Sequence, residues 1–138
     1  MVINGKVIAK DRNMLHKKSD WISHAEMRLF IKYSALIKKR RKEGATVTLY
    51  TTMEPCLMCL GTSALHRVSK IVYACPDPFT GAANIKREAL PVGYETAYRL
   101  PKVKKGPMKE ESRKLLLEYM RSHEPKKWRK AIELITNL

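Results

Sequence analysis

The chain has 138 residues, 44% of them apolar and 30% charged, and its 28 Lys and Arg against 13 Asp and Glu give a formal net charge of +15. That size and apolar share fit one domain with one core and exclude wholesale disorder; the charge attracts polyanions, or else reflects a basic proteome or a salt-rich or hot habitat. Three cysteines cannot make a disulfide framework, no apolar run has the length of a membrane span, and MVINGKVIAK lacks the long apolar region of a signal peptide, so a cytoplasmic setting is expected.

The chain opens with a hairpin signal. Val2 and Ile3 lead into Asn4-Gly5 and then Lys6-Val7-Ile8-Ala9, and Asn-Gly accepts the positive φ values of a type I′ turn. The first strand is very short as written. Residues 10–22 are polar and irregular and read as loop. Ala25, Leu29, Tyr33, Leu36 and Ile37, with Phe30 beside them, recur at helical spacing. The cations at 38–42 suit the last turn of that helix, and Gly44 stops it.

Residues 46–51 read as a strand by their β-branched content, and Pro55 permits a helix from about Cys56 to His66. A third clear strand, KIVYAC at 70–75, ends at Pro76 and Pro78. Residues 79–100, with Gly81 and Gly93, read as loop with little regular structure. Val103 sits in a short strand, LPKVKK. Gly106-Pro107 opens a helix with Glu110 and Glu111 in its first turn and Leu115, Leu116, Tyr119 and Met120 on its apolar face. Pro125 breaks it, and Trp128, Ile132 and Ile135 mark a last amphipathic helix. The order hairpin, helix, strand, helix, strand, helix indicates an α/β layered domain.

Two motifs carry chemistry. Residues 51–59 read TTMEPCLMC and residues 23–27 read SHAEM. Cys56 and Cys59 lie one helical turn apart, so both sulfurs point to one side, and a helix N-terminus favours the thiolate that binds metal. His24 supplies a third ligand. Three protein ligands leave one tetrahedral position for water, the mark of a catalytic zinc. Two thiolates and a neutral imidazole leave such a zinc near zero net charge, so a nearby base helps, and Glu26 is the candidate. Each element has a bland reading too: Ser23-x-x-Glu26 fits a capping box, His24 alone is an ordinary polar residue at a helix start, and a lone CxxC can be redox-active. Together, in this order and with Pro55 directly before Cys56, they match the H-x-E and P-C-x-x-C signature of a zinc deaminase.

On these residues the chain resembles the cytidine and deoxycytidylate deaminase superfamily, and most closely the tRNA-specific adenosine deaminases and their nucleoside- and guanine-deaminase relatives. Asn13 stands where those relatives carry a substrate-binding Asn, and Asp20 precedes the HAE motif as in their D-P-T-x-H-A-E. The stretch HRVSKIVYACPDPFTGAAN resembles their S-R-I-x-R-V-V-F-G-A-x-D-x-x-T-G-A-A, and VKKGPMKEESRKLLLEYM resembles their closing strand and helix. The resemblance implies one deaminase domain over residues 1–138, with a three-layer α/β/α fold and a mixed central sheet. It implies one zinc on His24, Cys56 and Cys59, and Glu26 as proton shuttle. Asn13, Ala25, Pro55 and Asp77 then lie against the substrate. Relatives are commonly dimers or higher assemblies, so a homodimer is a further expectation.

Two departures stand out. The family's N-terminal helix and most of its first strand are missing before Asn4-Gly5, which exposes a sheet edge and removes part of the pocket wall. Leu60-Gly61-Thr62 replaces the A-G-A of tRNA-acting members and is more typical of guanine- and nucleoside-acting ones. Charge and the DPFTGAA match favour adenosine in RNA as substrate. Alternatives are a free nucleoside, nucleotide or base (cytidine or dCMP, adenine, guanine), or a non-catalytic, zinc-containing module that binds RNA or single-stranded DNA. Glu26 argues against the last, since a structural zinc has no need of it. Cys75 reads as a core residue and His66 as a helix-terminal cation, while His16 and His123 carry no signal. The basic runs at 38–42, 102–105 and 126–130 read as solvated faces, with Trp128 as a candidate platform for stacking a base.

Overall fold

A computed structural model describes residues 1–15 and 20–138, so His16 lies outside the described residues. Five strands, β1 (Val2–Ile3), β2 (Lys6–Val7), β3 (Val47–Met53), β4 (Lys70–Cys75) and β5 (Lys102–Lys105), form one sheet in the order β2-β1-β3-β4-β5. Among the described residues four α-helices accompany them: α1 (Ala25–Lys42), α2 (Leu57–Leu65), α3 (Lys109–Ser122) and α4 (Pro125–Thr136). β1 runs antiparallel to β2 and β3, whereas β3, β4 and β5 are parallel. This is the mixed α/β sheet expected.

The hairpin turn takes the geometry its sequence asks for, with Asn4 at φ 48° and Gly5 at φ 80°. Asn4 also ties the turn to the start of β3: its amide donates to the Thr46 carbonyl at 3.0 Å, and its Oδ1 accepts the Thr46 amide at 2.8 Å. Along β3, β1 pairs with Val47 and Thr48. Among the described residues, the remainder of that margin of β3, from Leu49 to Met53, carries no strand, as the short first strand led us to expect.

Two apolar clusters hold the layers. In the first, Leu29, Phe30 and Ile37 of α1 and Leu60 of α2 pack on Ile3, Val47, Leu49 and Ile71 of the sheet. The register sets Leu49 beside Ile71, and both are buried, as strands covered by helices require. Leu36, placed on the apolar face by spacing, is exposed, and the buried stripe of α1 is narrower than its sequence suggests. Gly44, at φ 80°, ends the chain's path out of α1. In the second cluster, Leu117 and Met120 of α3 and Ala131 and Ile135 of α4 close over Cys75, with Met53, Leu116, Trp128 and Ile132 alongside.

α3 differs from its sequence reading. It begins at Lys109, because Gly106 must lie flat on β4, where a Cβ would come within 2.6 Å of Val72 Cγ1. Its buried stripe runs through Leu116, Leu117 and Met120, leaving Leu115 58% exposed. The stretch 79–100 contains a 3-10 turn, Arg87–Ala89, and a π-helical turn, Tyr94–Tyr98, both too short to leave a periodic signature. Among the described residues no helix is long and apolar enough to cross a membrane.

Ile37 is fully buried, so Ile37→Ala is expected to lower the unfolding free energy by about 2–5 kcal/mol, read by urea denaturation. A second expectation concerns acid. Arg28 Nε donates to Asp11 Oδ1 at 2.7 Å, and this bond holds the Asp11 carboxyl below its ordinary value. The resulting stability is complete above the unfolded carboxyl value of about 3.9 and is lost as pH falls through the lower folded value. Arg28→Met removes it at neutral pH, so the stability gap between wild type and variant narrows on acidification; denaturation series from pH 7 to pH 3 read that gap.

Candidate metal centre

Both chemical motifs sit where a helix begins. His24 is the N-cap of α1 and Cys56 the N-cap of α2, each in extended backbone geometry and neither making a side-chain cap hydrogen bond. The turn before α1 is built by Asp20. Its Oδ1 accepts the amides of Ile22 (3.0 Å) and Ser23 (2.6 Å), and its Oδ2 accepts the Ser23 hydroxyl at 2.6 Å. Ser23 therefore serves this turn, and the capping-box reading of Ser23 and Glu26 does not hold.

The ligand atoms of His24, Cys56 and Cys59 all lie within 4.8 Å of one another. His24 Nδ1 is 3.8 Å from Cys56 Sγ and 3.7 Å from Cys59 Sγ. Nitrogen and sulfur ligands at about 2.1 and 2.3 Å around one tetrahedral ion stand about 3.6 Å apart. The donor set thus fits zinc in both chemistry and spacing. The Cys59 thiol reaches Glu26 Oε2 at 3.7 Å, which puts the carboxyl beside the ligands.

Electrostatics at the cluster follow from these contacts. The Cys59 thiol, with His24 next to it, holds Cys56 down to about 4. That same contact with Cys56, together with burial, pushes Cys59 up. The hydrogen bond to Cys56 raises His24, and burial raises Glu26. A divalent cation among these groups offsets two thiolate charges, which is what a buried sulfur pair lacks on its own.

The other residues singled out from sequence are placed as follows. Ala25 is the first residue of α1 and half-buried. Pro55 is fully buried, and its carbonyl accepts the Ala82 amide at 3.0 Å. Asp77 is buried and shapes its own loop: Oδ1 accepts the amides of Phe79 (2.9 Å) and Thr80 (3.1 Å), and the Thr80 hydroxyl bonds Oδ2. Asn13 is exposed and uses its Oδ1 to accept the Leu15 amide at 2.9 Å. Leu60, read from sequence as a mark of substrate class, is a core residue of the first cluster. Cys75 is fully buried in the second. His66 bridges the two motif-bearing helices: Nδ1 bonds the Thr62 carbonyl at 2.9 Å, Nε2 pairs with the Ser34 hydroxyl at 3.0 Å, and the ring stacks on Phe30 at 4.6 Å.

Sequence reasoning missed Glu54. Its buried carboxylate accepts the Asp77 amide at 3.1 Å and the Ala83 amide at 2.9 Å, pinning the 76–85 loop to the turn that carries Cys56. Gly81 bridges Cys56 across this junction, and a Cβ there would meet Glu54 Cδ at 2.6 Å. A cavity of about 550 Å³ opens here, lined by Glu54, Leu57, Asp77, Thr80 and Ile85. The available signal was that Glu54 is the lone charged residue between Gly44 and His66.

Comparison with known proteins agrees with this geometry. A family model of the cytidine and deoxycytidylate deaminase zinc-binding region matches residues 1–75. A tRNA-specific adenosine deaminase of Bacillus subtilis (strain 168) is 41% identical over 83 residues, 60% of this chain and 50% of the relative. The protein of the same name from Agrobacterium fabrum (strain C58 / ATCC 33970) is 29% identical over 121 residues, 88% and 77% of the two chains. A solved chain from a study of A-to-I editing by tRNA:A34 deaminases at the wobble position of transfer RNA superposes with a TM-score of 0.59 at 28% identity, covering 83% of this chain and 80% of that one. The chain spans about half the length of the Bacillus subtilis relative.

The one cluster of three ligands among the described residues predicts about one zinc per chain. Elemental analysis of purified protein is expected to find it, and a Cys56→Ser, Cys59→Ser double variant is expected to lose it.

Proposed function

We propose a function on one premise: the chain belongs to the cytidine and deoxycytidylate deaminase family, whose zinc-binding region its residues 1–75 match. Residues 1–138 act as one hydrolytic deaminase domain that converts adenine to hypoxanthine within RNA, with transfer RNA as the substrate class. The observation that carries this reading is the half-buried Glu26 beside a cluster of three protein ligands. Three ligands leave room for a reacting water, and a purely structural zinc makes no use of a carboxyl group. The names of the relatives and the net charge of +15 support RNA as the carrier of the base.

His24, Cys56 and Cys59 hold the ion, which when bound supplies the Lewis acidity that makes water nucleophilic at neutral pH. Glu26 accepts a proton from the attacking water and returns protons to the ring and the leaving amine. A C–O bond forms at the amine-bearing carbon, the C–N bond breaks, and ammonia departs. Burial raises the Glu26 carboxyl from its ordinary value, which favours a group that must hold a proton as well as take one. The Ala25 amide, in the first turn of α1, has no partner within its own helix and faces the substrate in this reading. Pro55 and Asp77 act through the loop they anchor, and Asn13 holds the base or its sugar. Three free cysteines fit a reducing cytoplasm. Assembly as a homodimer belongs to the same reading.

Glu26→Ala is expected to keep its zinc and lose at least about a hundredfold in turnover, because the ligands remain while the proton carrier is gone. Ammonia release from an adenine-containing RNA hairpin, measured together with zinc content, checks both halves. Full activity in that variant sinks the mechanism.

A further inference from the structure

Where the resembling motif reads D-P-T-x-H-A-E, this chain reads DWISHAE at 20–26. Trp21 is 81% exposed, a large apolar surface left in water. The Asp20 turn fixes the loop that carries it. Only two residues separate Trp21 from His24, so three steps of about 3.6 Å keep its backbone within about 11 Å of the metal ligand's. Trp128, the indole favoured from sequence, instead packs in the second cluster with its Nε1 buried and without a partner.

The first turn of α4 reaches the same place. Lys127 Nζ lies 5.3 Å from the centre of the Trp21 ring and 5.7 Å from that of Trp128, within the range of a cation–π contact. Lys126, Arg129 and Lys130 surround it in sequence. Lys127 also pairs with Glu124 at 3.3 Å and Lys130 with Glu133 at 3.1 Å; both pairs are exposed, and such pairs are weak and readily exchanged. A basic run distant in sequence from the zinc motifs thus borders the loop that leads into them. Lys127 stands against one side of the indole, and most of the remaining ring surface meets solvent.

We infer that Trp21 and Lys127 form a stacking clamp for a nucleobase next to the one deaminated, with the cations of α4 meeting the adjoining phosphates of single-stranded RNA. A flat, exposed indole beside a cluster of cations matches what single-stranded nucleic acid offers, a π-face and a charged backbone. The inference rests on the proposed RNA substrate and adds to it which surface reads the flanking strand.

The test uses zinc-loaded full chain and a labelled single-stranded RNA of roughly ten nucleotides with a central adenine. In anisotropy titrations, Trp21→Ala is expected to weaken Kd by roughly 5- to 150-fold, while Trp21→Tyr stays within a few-fold of wild type. Zinc content and turnover of a free nucleoside are expected to be unmoved in both. RNA is expected to quench tryptophan emission in wild type and much less in Trp21→Ala, and Lys127→Gln is expected to flatten the salt dependence of Kd. Equal Kd for wild type and Trp21→Ala, with both binding RNA, overturns the clamp and leaves the RNA substrate standing. No RNA binding by wild type at low salt, together with turnover of a free nucleoside, overturns the RNA substrate and the clamp with it.

Discussion

Two helices must begin at one point in space for this molecule to have a centre at all. His24 ends the loop into α1, and Cys56 ends the loop into α2, and each is the capping residue of its helix. Because neither side chain caps its own helix, both remain available to a third party. The parallel pairing of β3 and β4 requires a crossover between them, and α2 is that crossover. α1, arriving from the hairpin side, packs on the same apolar cluster. The helix starts also supply partial positive charge, which suits thiolates more than it suits an imidazolium. His66 then ties the two helices near the far end of α2, through Phe30 and Ser34 on one side and Thr62 on the other. The geometry of the centre is thereby over-determined by packing, before any ion contributes. Such preorganisation lowers the reorganisation that binding an ion requires, while the ion in turn adds to the stability of the pair of helices.

Much of this was legible in the chain itself, for reasons that differ by element. Thr46 to Thr51 and the segment 70–75 are dense in β-branched residues, and both are strands. The Asn-Gly turn, Gly44 and Pro55 each impose a local backbone preference that needs no tertiary help. The metal ligands were readable because their spacing is itself the chemistry: one helical turn separates two sulfurs that must share an ion. What stayed hidden depends on long-range contact. Glu54 acts on amides more than twenty residues downstream, and no local pattern announces a carboxylate that solvates a distant loop. The apolar face of α3 sits one residue away from its sequence reading because Leu117, rather than Leu115, meets α4. The two indoles follow the same rule: cations flank Trp128 in sequence, yet the fold half-buries Trp128 and leaves Trp21 in the open.

The distribution of charge follows from the division of labour between the two clusters. The first cluster supports the metal ligands and is apolar throughout. The second is built from α3 and α4, whose outward faces carry many of the cations. A cation beside the centre would disfavour metal binding, whereas one several residues away can draw in a polyanion without competing for the ligands. Placing the cations of α4 against the Trp21 loop brings them near the centre while their heads remain in water.

Glu54 and Gly81 also constrain how this sequence can change over time. A Cβ at 81 would run into the backbone carbonyl of Asp77 and the carboxyl group of Glu54, and the loop's amides depend on that carboxylate. Neither position can drift alone. A lineage that enlarged residue 81 would have to shift the Asp77 backbone as well as shrink residue 54, and would then have to find new partners for the amides of Asp77 and Ala83. Variation in this loop is therefore channelled outward, to side chains such as Phe79 that point into solvent. Single substitutions there leave the turn bearing Cys56 where it is.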